Sequence, residues 1–507
     1  MSVSISPPGP AAAGRPTSEP SLLDALAPVV VLIGLLVLTI VLFGTAAADG
    51  PLQVALFASA TFAGLVAYKN GYTAVAIEEA AVGGVSSAMG AIFILLAVGA
   101  LIGTWNLAGT IPTIVSYGLA LLRPAIFFAT IAVICALVGA VTGSSWTTAA
   151  TLGVAFVGMA PVLKMPVPIT AGAVISGAYM GDKMSPLSET TVLVPSLVGG
   201  VTVNQHIRGM LWTVGPSFAA AVGIFLGLGF AEKPSGSVDT TAARDAVAAV
   251  YHITPWNLLP LALLIVLSVV QVPPFLAIFG TAVFSGVLAS FTQPDVVKAL
   301  VGKPGQGPVL NGIEAIYKSM ATGHVAHSTN DTINALFSRG GMTSMLTTVW
   351  LILGAMGFAA IMEHAGFIGR LIRPLVTRAR SDGRLIAATG LTCIGLNVIA
   401  GDQYIADVLP SRAYRAEYAR RGLAPRMLSR TVEDTGTVTS PLVPWNSCGA
   451  YMAGVLGVPT AAYLPYCFFN LLSPVLDVLY GFVGFRVPSR VEPPPAASAP
   501  ALLDPSG

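Results

Sequence analysis

Apolar runs close to membrane-spanning length dominate the chain and fall into two sets. The first covers 28–44, 51–67, 88–104, 107–121, 125–141, 146–160, 169–181, 187–199 and 210–230. The second covers 256–271, 274–291, 343–362, 385–401, 403–411, 431–442 and 461–484. A polar stretch, 231–253, divides them, and a more polar stretch within the second set, 292–340, is expected to form interfacial helices or a loop. A transmembrane helix needs about 20 apolar residues, so the long runs predict spans and the short ones part-spans. Composition agrees: the 507 residues are 54% hydrophobic and 9% charged, with mean hydropathy +0.79. A soluble domain carries about 25% charged residues. The expected fold class is therefore an all-α polytopic membrane protein, with the lipid bilayer as its surroundings.

The ends read differently. Residues 1–21 and 488–507 are rich in Pro, Ala and Ser and are expected to be disordered tails. The N-terminal tail lacks the basic start and short apolar core of a cleaved signal, so the first span is expected to be retained. The four cysteines, Cys135, Cys393, Cys448 and Cys467, lie in or beside apolar runs and make no C-x-x-C. They read as small buried hydrophobes, with no resident metal or cofactor. No basic, aromatic-interleaved patch suggests nucleic acid.

The two sets carry the same landmarks. Gly83-Gly84 before a span corresponds to Gly340-Gly341, Thr142-Gly143 to Ala400-Gly401, and Pro186 to Pro444, at a steady offset of 257–258. The predicted organisation is a first repeat at 22–230, a linker at 231–253 and a second repeat at 254–487. Charge makes the repeats inverted. Of 25 basic residues, five arginines lie in 370–384 and six in 412–430. Basic short loops stay in the cytoplasm, whereas the equivalent first-repeat loops hold only Arg123 and Lys164. Leu385 to Pro410, 26 residues between two cytoplasmic arginine clusters, is too short for two spans. It is predicted to enter and return as a re-entrant hairpin turning near Asn397 to Tyr404. By the repeat, 125–160 forms a hairpin from the other side, with Thr142 to Thr147 at its tip.

Polar chemistry sits at these landmarks. In Gly181-Asp182-Lys183-Met184-Ser185-Pro186-Leu187-Ser188-Glu189-Thr190, Pro186 disfavours helix at Ser185. The helix is expected to stop near Gly181 and restart after the proline. Unwound backbone and hard oxygens in such a break suit a small cation. A carboxylate at bilayer depth is costly; Asp182 must pair with a cation, pair with Lys183, or take a proton. That choice lets Na+ and H+ compete for one group. The second copy has Asp402, then Glu433-Asp434-Thr435-Gly436-Thr437, with Ser440 at the position equivalent to Asp182 and Asn446 beyond it. Glu433 has an alternative partner in Arg430, Asp407 in Arg412. Enzyme signatures such as H-E-x-x-H, G-x-S-x-G or a P-loop are missing from the sequence.

Five segments resemble the NhaC family of Na+/H+ antiporters: Leu101-Ile-Gly-Thr-Trp-Asn-Leu-Ala-Gly-Thr-Ile-Pro-Thr, Thr142-Gly-Ser-Ser-Trp-Thr-Thr, Ser176 to Thr191, Gly401-Asp-Gln-Tyr, and Ser429 to Gly449. The resemblance runs from about Pro28 to Phe485. It implies Na+ extrusion against H+ uptake in a bacterial cell (inner) membrane. It also implies inverted repeats, each with a re-entrant hairpin and a broken helix, and a homodimer with elevator-like motion. The chain departs from the family pattern at Glu189, often Asp, and at Thr147, where Trp-Gly-Thr is common. The family also includes proteins resembling malate/lactate exchangers, the alternative reading.

The sequence therefore predicts a secondary antiporter, not an enzyme. Asp182, Asp402 and Asp434 are the candidate acids, with Asp182 and Asp434 as ligands of transported Na+. Ser144, Ser145, Ser185, Thr190, Thr437 and Ser440 are candidate neutral ligands, and Glu189 a further ligand. Lys183, Pro186, Glu433 and Asn446 are supporting residues. One shared site built from two unequal halves is expected.

Overall fold

The computed structural model describes residues 19–232, 240–301, 306–326, 328 and 331–485. The expected tails fall outside these residues except for Glu19, Pro20 and Ser21, as does 233–239 of the linker; the rest of that linker includes a short helix, Thr240–Ala248. Among the described residues every regular element is helical. Eight helices there are long and apolar enough to cross a membrane: Leu22–Phe43, Pro51–Lys69, Met89–Leu107, Pro124–Thr142, Ser145–Val162, Val203–Ala231, Pro274–Thr292 and Met342–His364. A ninth candidate, Thr460–Tyr466 with Phe468–Val483, is bent by 57°. Pro465 sits in the tight turn at that bend, where it removes a backbone donor.

Local sequence explains the boundaries. The first helix starts at Leu22, ahead of the expected Pro28, because Ser21 and Asp24 form a reciprocal cap. The described part of the polar stretch 292–340 includes helices that pack on the first set by one face and expose the other. Its helix Pro308–Thr322 lies against Met89–Leu107 so closely that a Cβ at Gly103 would come within 2.0 Å of the Ser319 carbonyl oxygen.

Three further helices are 18 residues long but too polar for the same test: Val167–Met184, Asp382–Ile399 and Gln403–Arg420. These carry the motifs. Thirteen residues of Val167–Met184 are buried, whereas Leu22–Phe43 has 28% of its apolar window buried. Burial does not simply follow polarity: the apolar Ser145–Val162 and Met89–Leu107 are also deep, with 78% and 72% of their windows buried, whereas Gln403–Arg420 is buried mainly along one face.

The motifs fold as two hairpins and two broken helices. Phe127–Thr142 turns at Gly143 (φ +64°) into Ser145–Val162, and Asp382–Ile399 turns at Gly401 (φ +62°) into Gln403–Arg420. Both glycines occupy the left-handed region that a side chain disfavours. Each return arm is capped by the next residue: Ser144 Oγ accepts from Thr147 N at 3.1 Å, and Asp402 Oδ1 from Ile405 N at 3.1 Å. The second turn falls where the sequence placed it. Its return arm runs on to Arg420, past Pro410, because the arginine-rich extension is stabilised by Glu417 contacts to Arg420 and Arg421.

The broken helices follow. Val167–Met184 gives way at Ser185 to Glu189–Val198. In the second set, Pro425–Val432 passes into a π turn at Glu433–Thr437 and a 3-10 turn at Ser440–Leu442, and helix resumes at Ser447–Leu456. Ser185 (ψ 129°) and Val443 (ψ 117°), each preceding a proline, are both extended. The first helix does not stop at Gly181 as expected, because Gly181 is used for packing. With Gly177 it forms a G-x-x-x-G face pressed onto Phe127–Thr142. A Cβ at Gly181 would lie 2.1 Å from the Ala136 carbonyl oxygen, and one at Gly177 2.2 Å from that of Ala132.

The halves are joined through a fully buried ion pair. Lys183 Nζ contacts Asp434 Oδ1, and Ser473 Oγ donates to the same oxygen at 2.8 Å.

Two outcomes follow from this packing. Gly181→Ala forces the two helices apart and is expected to cost about 1–3 kcal/mol, read as a lower Tm in detergent by intrinsic fluorescence. Lys183→Met leaves Asp434 buried without its cation and is expected to cost about 3–5 kcal/mol, whereas Lys183→Met with Asp434→Leu recovers most of that stability. A double variant no more stable than the single one would contradict this account.

Candidate ion-binding site

Both hairpin tips and both helix breaks open onto one cavity of about 440 Å³. Gly143, Ser144, Ser145, Trp146 and Thr147 come from the first tip, Asp182, Ser188, Glu189 and Thr190 from the first break, Asp402, Gln403 and Tyr404 from the second tip, and Ser447 and Cys448 from the second break. Of the sequence candidates, Ser144, Ser145, Asp182, Glu189, Thr190 and Asp402 meet here.

The acids are held by backbone and hydroxyl donors. Asp182 Oδ2 accepts from Ser145 N at 3.0 Å, so the N-terminus of the first return arm points at it. Asp402 Oδ1 caps its own helix, and Ser447 Oγ donates to Oδ2 at 3.3 Å. Glu189 accepts from Tyr404 Oη at 2.6 Å across the cavity. Trp146 stacks on Tyr451, ring centroids 3.9 Å apart, and Tyr451 Oη donates to the Trp146 carbonyl, which fixes the first tip against the second half. Asp402 and Tyr404 also line a neighbouring cavity of about 290 Å³ that reaches Glu363.

The other candidates lie behind this wall. Asp434 is bound to Lys183 and Ser473 and does not line the cavity. Lys183, one of the three alternatives for Asp182, is therefore paired with the other half of the chain. Ser185 turns back to accept from Leu187 N. Thr437 donates to Asp407 at 3.0 Å, and Ser440 donates to Gln403 Oε1 at 2.8 Å. Asn446 caps its helix and ties the second hairpin by donating to Asn397. Pro186 is exposed at the break it creates. Glu433 accepts from Thr190 Oγ1 at 2.9 Å.

Two pairings differ from expectation. Arg430 pairs with Asp477 at 2.7 Å and not with Glu433. Asp407 turns inward to Thr437 instead of outward to Arg412, and Gly436 is needed there because a Cβ would sit 2.1 Å from Asp407 Oδ1. Sequence reasoning did not single out Asp477 or His206. Asp477 is an ionisable residue within an otherwise apolar run, which is a signal in itself; His206 lies among Asn204, Gln205 and Arg208, where nothing local sets it apart. His324 is buried beside Tyr251, Nε2 to Oη 3.0 Å, away from this cavity, and His327 lies outside the described residues.

Among the lining residues there are three carboxylates, Asp182, Glu189 and Asp402, and neither lysine nor arginine. The only nearby lysine in the motif is committed to Asp434. Among the described residues no group of three or more His, Cys, Asp and Glu is arranged to hold a metal cofactor. The cavity is chemically suited to a cation that arrives, exchanges and leaves.

Comparison with known proteins agrees. The model of the "Na+/H+ antiporter family" matches residues 13–199 and 177–485. The chain is 36% identical to the Na+/H+ antiporter NhaC of Alkalihalophilus pseudofirmus, over 81% of this chain and 86% of that one. It is 33% identical to NhaC of Bacillus subtilis, over 85% and 92%. It is also 32% identical to the malate-2H+/Na+-lactate antiporter of Bacillus subtilis, over 91% and 95%. With an acidic cavity at the meeting point of its motifs and a family match over nearly its whole length, the chain belongs to the NhaC-type Na+/H+ antiporters, a family of multi-pass membrane transporters.

Proposed function

We propose that this chain exports Na+ in exchange for H+ at Asp182 and Asp402, with Ser144, Ser145 and Glu189 supplying further oxygens. The observation that carries the reading is a cavity shared by both tips and both breaks whose charged lining residues are all acidic. Two carboxylates in a low-dielectric site favour either a bound cation or a bound proton. Loading of Na+ therefore releases protons, and reprotonation releases Na+. Asp434 takes no direct part, since its charge is already neutralised by Lys183.

The recurrence of hairpin and broken helix supports two inverted repeats, 22–230 and 254–487, working as halves of one transporter. We place the arginine-rich segments 370–384 and 412–430 in the cytoplasm of the cell membrane's inner side, following the positive-inside bias. A homodimer is the assembly that this reading adopts.

The cavity volume and the malate/lactate relative favour a second reading, exchange of an organic acid coupled to Na+ and H+. An anionic carboxylate needs a cationic partner or an exposed helix N-terminus. Here the N-terminus at Ser145 already serves Asp182, and Lys183 already serves Asp434. The acid-lined cavity therefore disfavours an anion.

In everted vesicles, Asp182→Asn and Asp402→Asn are each expected to lower Na+-dependent dissipation of a pH gradient by about 100-fold or more. Retained exchange in Asp182→Asn would overturn the site. In proteoliposomes, malate and lactate are expected to leave Na+-driven pH relaxation unchanged; acceleration by either would instead support the organic-acid reading.

A further inference from the structure

Behind the cavity wall lies a line of buried groups that the exchange site does not use. Thr190 lines the cavity, donates its hydroxyl proton to Glu433 Oε1, and can therefore only accept in its 3.2 Å contact with Ser188 Oγ. Glu433 is fully buried in the π turn. Its other oxygen, Oε2, has no hydrogen-bond partner and faces His206 Nε2, which has none either, at 3.9 Å. Both side chains are completely enclosed. Two buried polar atoms left unsatisfied face to face are unusual and call for a reason.

His206 Nδ1 and Ser429 Oγ lie 2.9 Å apart, and the same hydroxyl is 3.2 Å from the Arg426 carbonyl; with the hydroxyl donating to that carbonyl, its oxygen accepts a proton carried on Nδ1. A neutral imidazole carrying its proton on Nδ1 has a lone pair on Nε2. That lone pair is aimed at the Glu433 carboxyl. A proton on Glu433 Oε2 therefore has an acceptor, and an imidazolium has a carboxylate to return it to. Closing the gap to hydrogen-bond distance takes a displacement of about 1 Å.

We propose that Thr190, Glu433 and His206 form a proton relay that runs from the exchange cavity to the buried His206–Ser429 contact, separate from the route Na+ takes. In one passage a proton from the cavity bonds Thr190 Oγ1 as the hydroxyl's own proton passes to Glu433 Oε1, and the proton on Oε2 moves to His206 Nε2; the reverse steps return the proton to the cavity, so every bond broken is formed again. The relay rests on the Na+/H+ exchange reading and adds the residues that carry its proton.

The charged surroundings come from every packed element. Asp182 and Lys183 on Val167–Met184 face Glu433, and Lys183 also faces His206. Asp407 on Gln403–Arg420 faces Glu433. Asp434 follows Glu433 in the π turn, and Arg430 is held by Asp477 on Phe468–Val483. Lys183 and Asp434 neutralise each other, as do Arg430 and Asp477, so these pairs leave the relay's own charge to move.

The test compares two modes in proteoliposomes: Na+/H+ exchange from pH 6 to 9, and Na+/Na+ exchange of labelled ion, which moves no net proton. His206→Gln and Glu433→Gln are each expected to slow Na+/H+ exchange by about tenfold or more at saturating Na+ and to shift its pH profile. In the same variants Na+/Na+ exchange and the KM for Na+ are expected to stay within about twofold. Wild-type Na+/H+ rates and pH profiles in both variants would overturn the relay, as would equal loss in both modes, which marks a structural role. Absence of Na+/H+ exchange in the unmodified protein would instead overturn the underlying function.

Discussion

The arrangement depends on a single buried contact, Lys183 to Asp434. Taking two charges out of water is costly, and only their mutual attraction with further hydrogen bonds repays it. Ser473 supplies one such bond. The pair ties the first broken helix to the second, so the two halves cannot separate at that level without exposing a charge. It also settles the chemistry next door. Asp182 adjoins Lys183 and Glu433 adjoins Asp434 in sequence. Because the lysine is committed to Asp434, it does not neutralise Asp182. The cavity keeps its negative character, and a cation becomes the natural occupant.

Burial of so polar a centre requires shielding. Val167–Met184 is enclosed along most of its length and is joined in the interior by the apolar Met89–Leu107 and Ser145–Val162, while Leu22–Phe43 and Val203–Ala231 are largely exposed at the periphery. Small residues let these inner helices approach without side chains between them, as at Gly177 and Gly181. The π turns at Ala149–Gly153 and Glu433–Thr437 have a related effect. An extra residue in a turn rotates the following side chains relative to a regular helix, and such turns gather at functional sites. The second one sends Glu433 toward Thr190 and Asp434 toward Lys183.

Much of this was legible in the sequence. Glycine and proline gave the two turns and both breaks, because their backbone constraints are local. The shared cavity was also foreseeable, since its acids and hydroxyls lie at those landmarks. Partnership was not. Asp434 looked like a cation ligand by its place in a polar run, yet its partner comes from 251 residues away. Arg430, Asp407 and Ser440 were misread or underread for the same reason: which face of a helix a side chain occupies depends on the π turn, and residue type does not announce one. Gly181 looked like a helix terminator because its packing partner, Ala136, is distant in the chain.

The two halves divide the chemistry crosswise. At the offset of 258, Ser144 at the first tip corresponds to Asp402 at the second, and Asp182 at the first break corresponds to Ser440 at the second. Each half thus offers one carboxylate and one hydroxyl, with their positions exchanged. Ser144 and Asp402 do the same local job, each capping its return arm. Asp182 and Ser440 both face a hairpin tip, Asp182 at Ser145 N and Ser440 at Gln403 Oε1. The third cavity carboxylate follows the same pattern, since Glu189 at the first break corresponds at this offset to Ser447 at the second. Acids at all of these positions in both halves would repel one another strongly; placing a hydroxyl opposite each acid limits that charge while the framework of donors is kept.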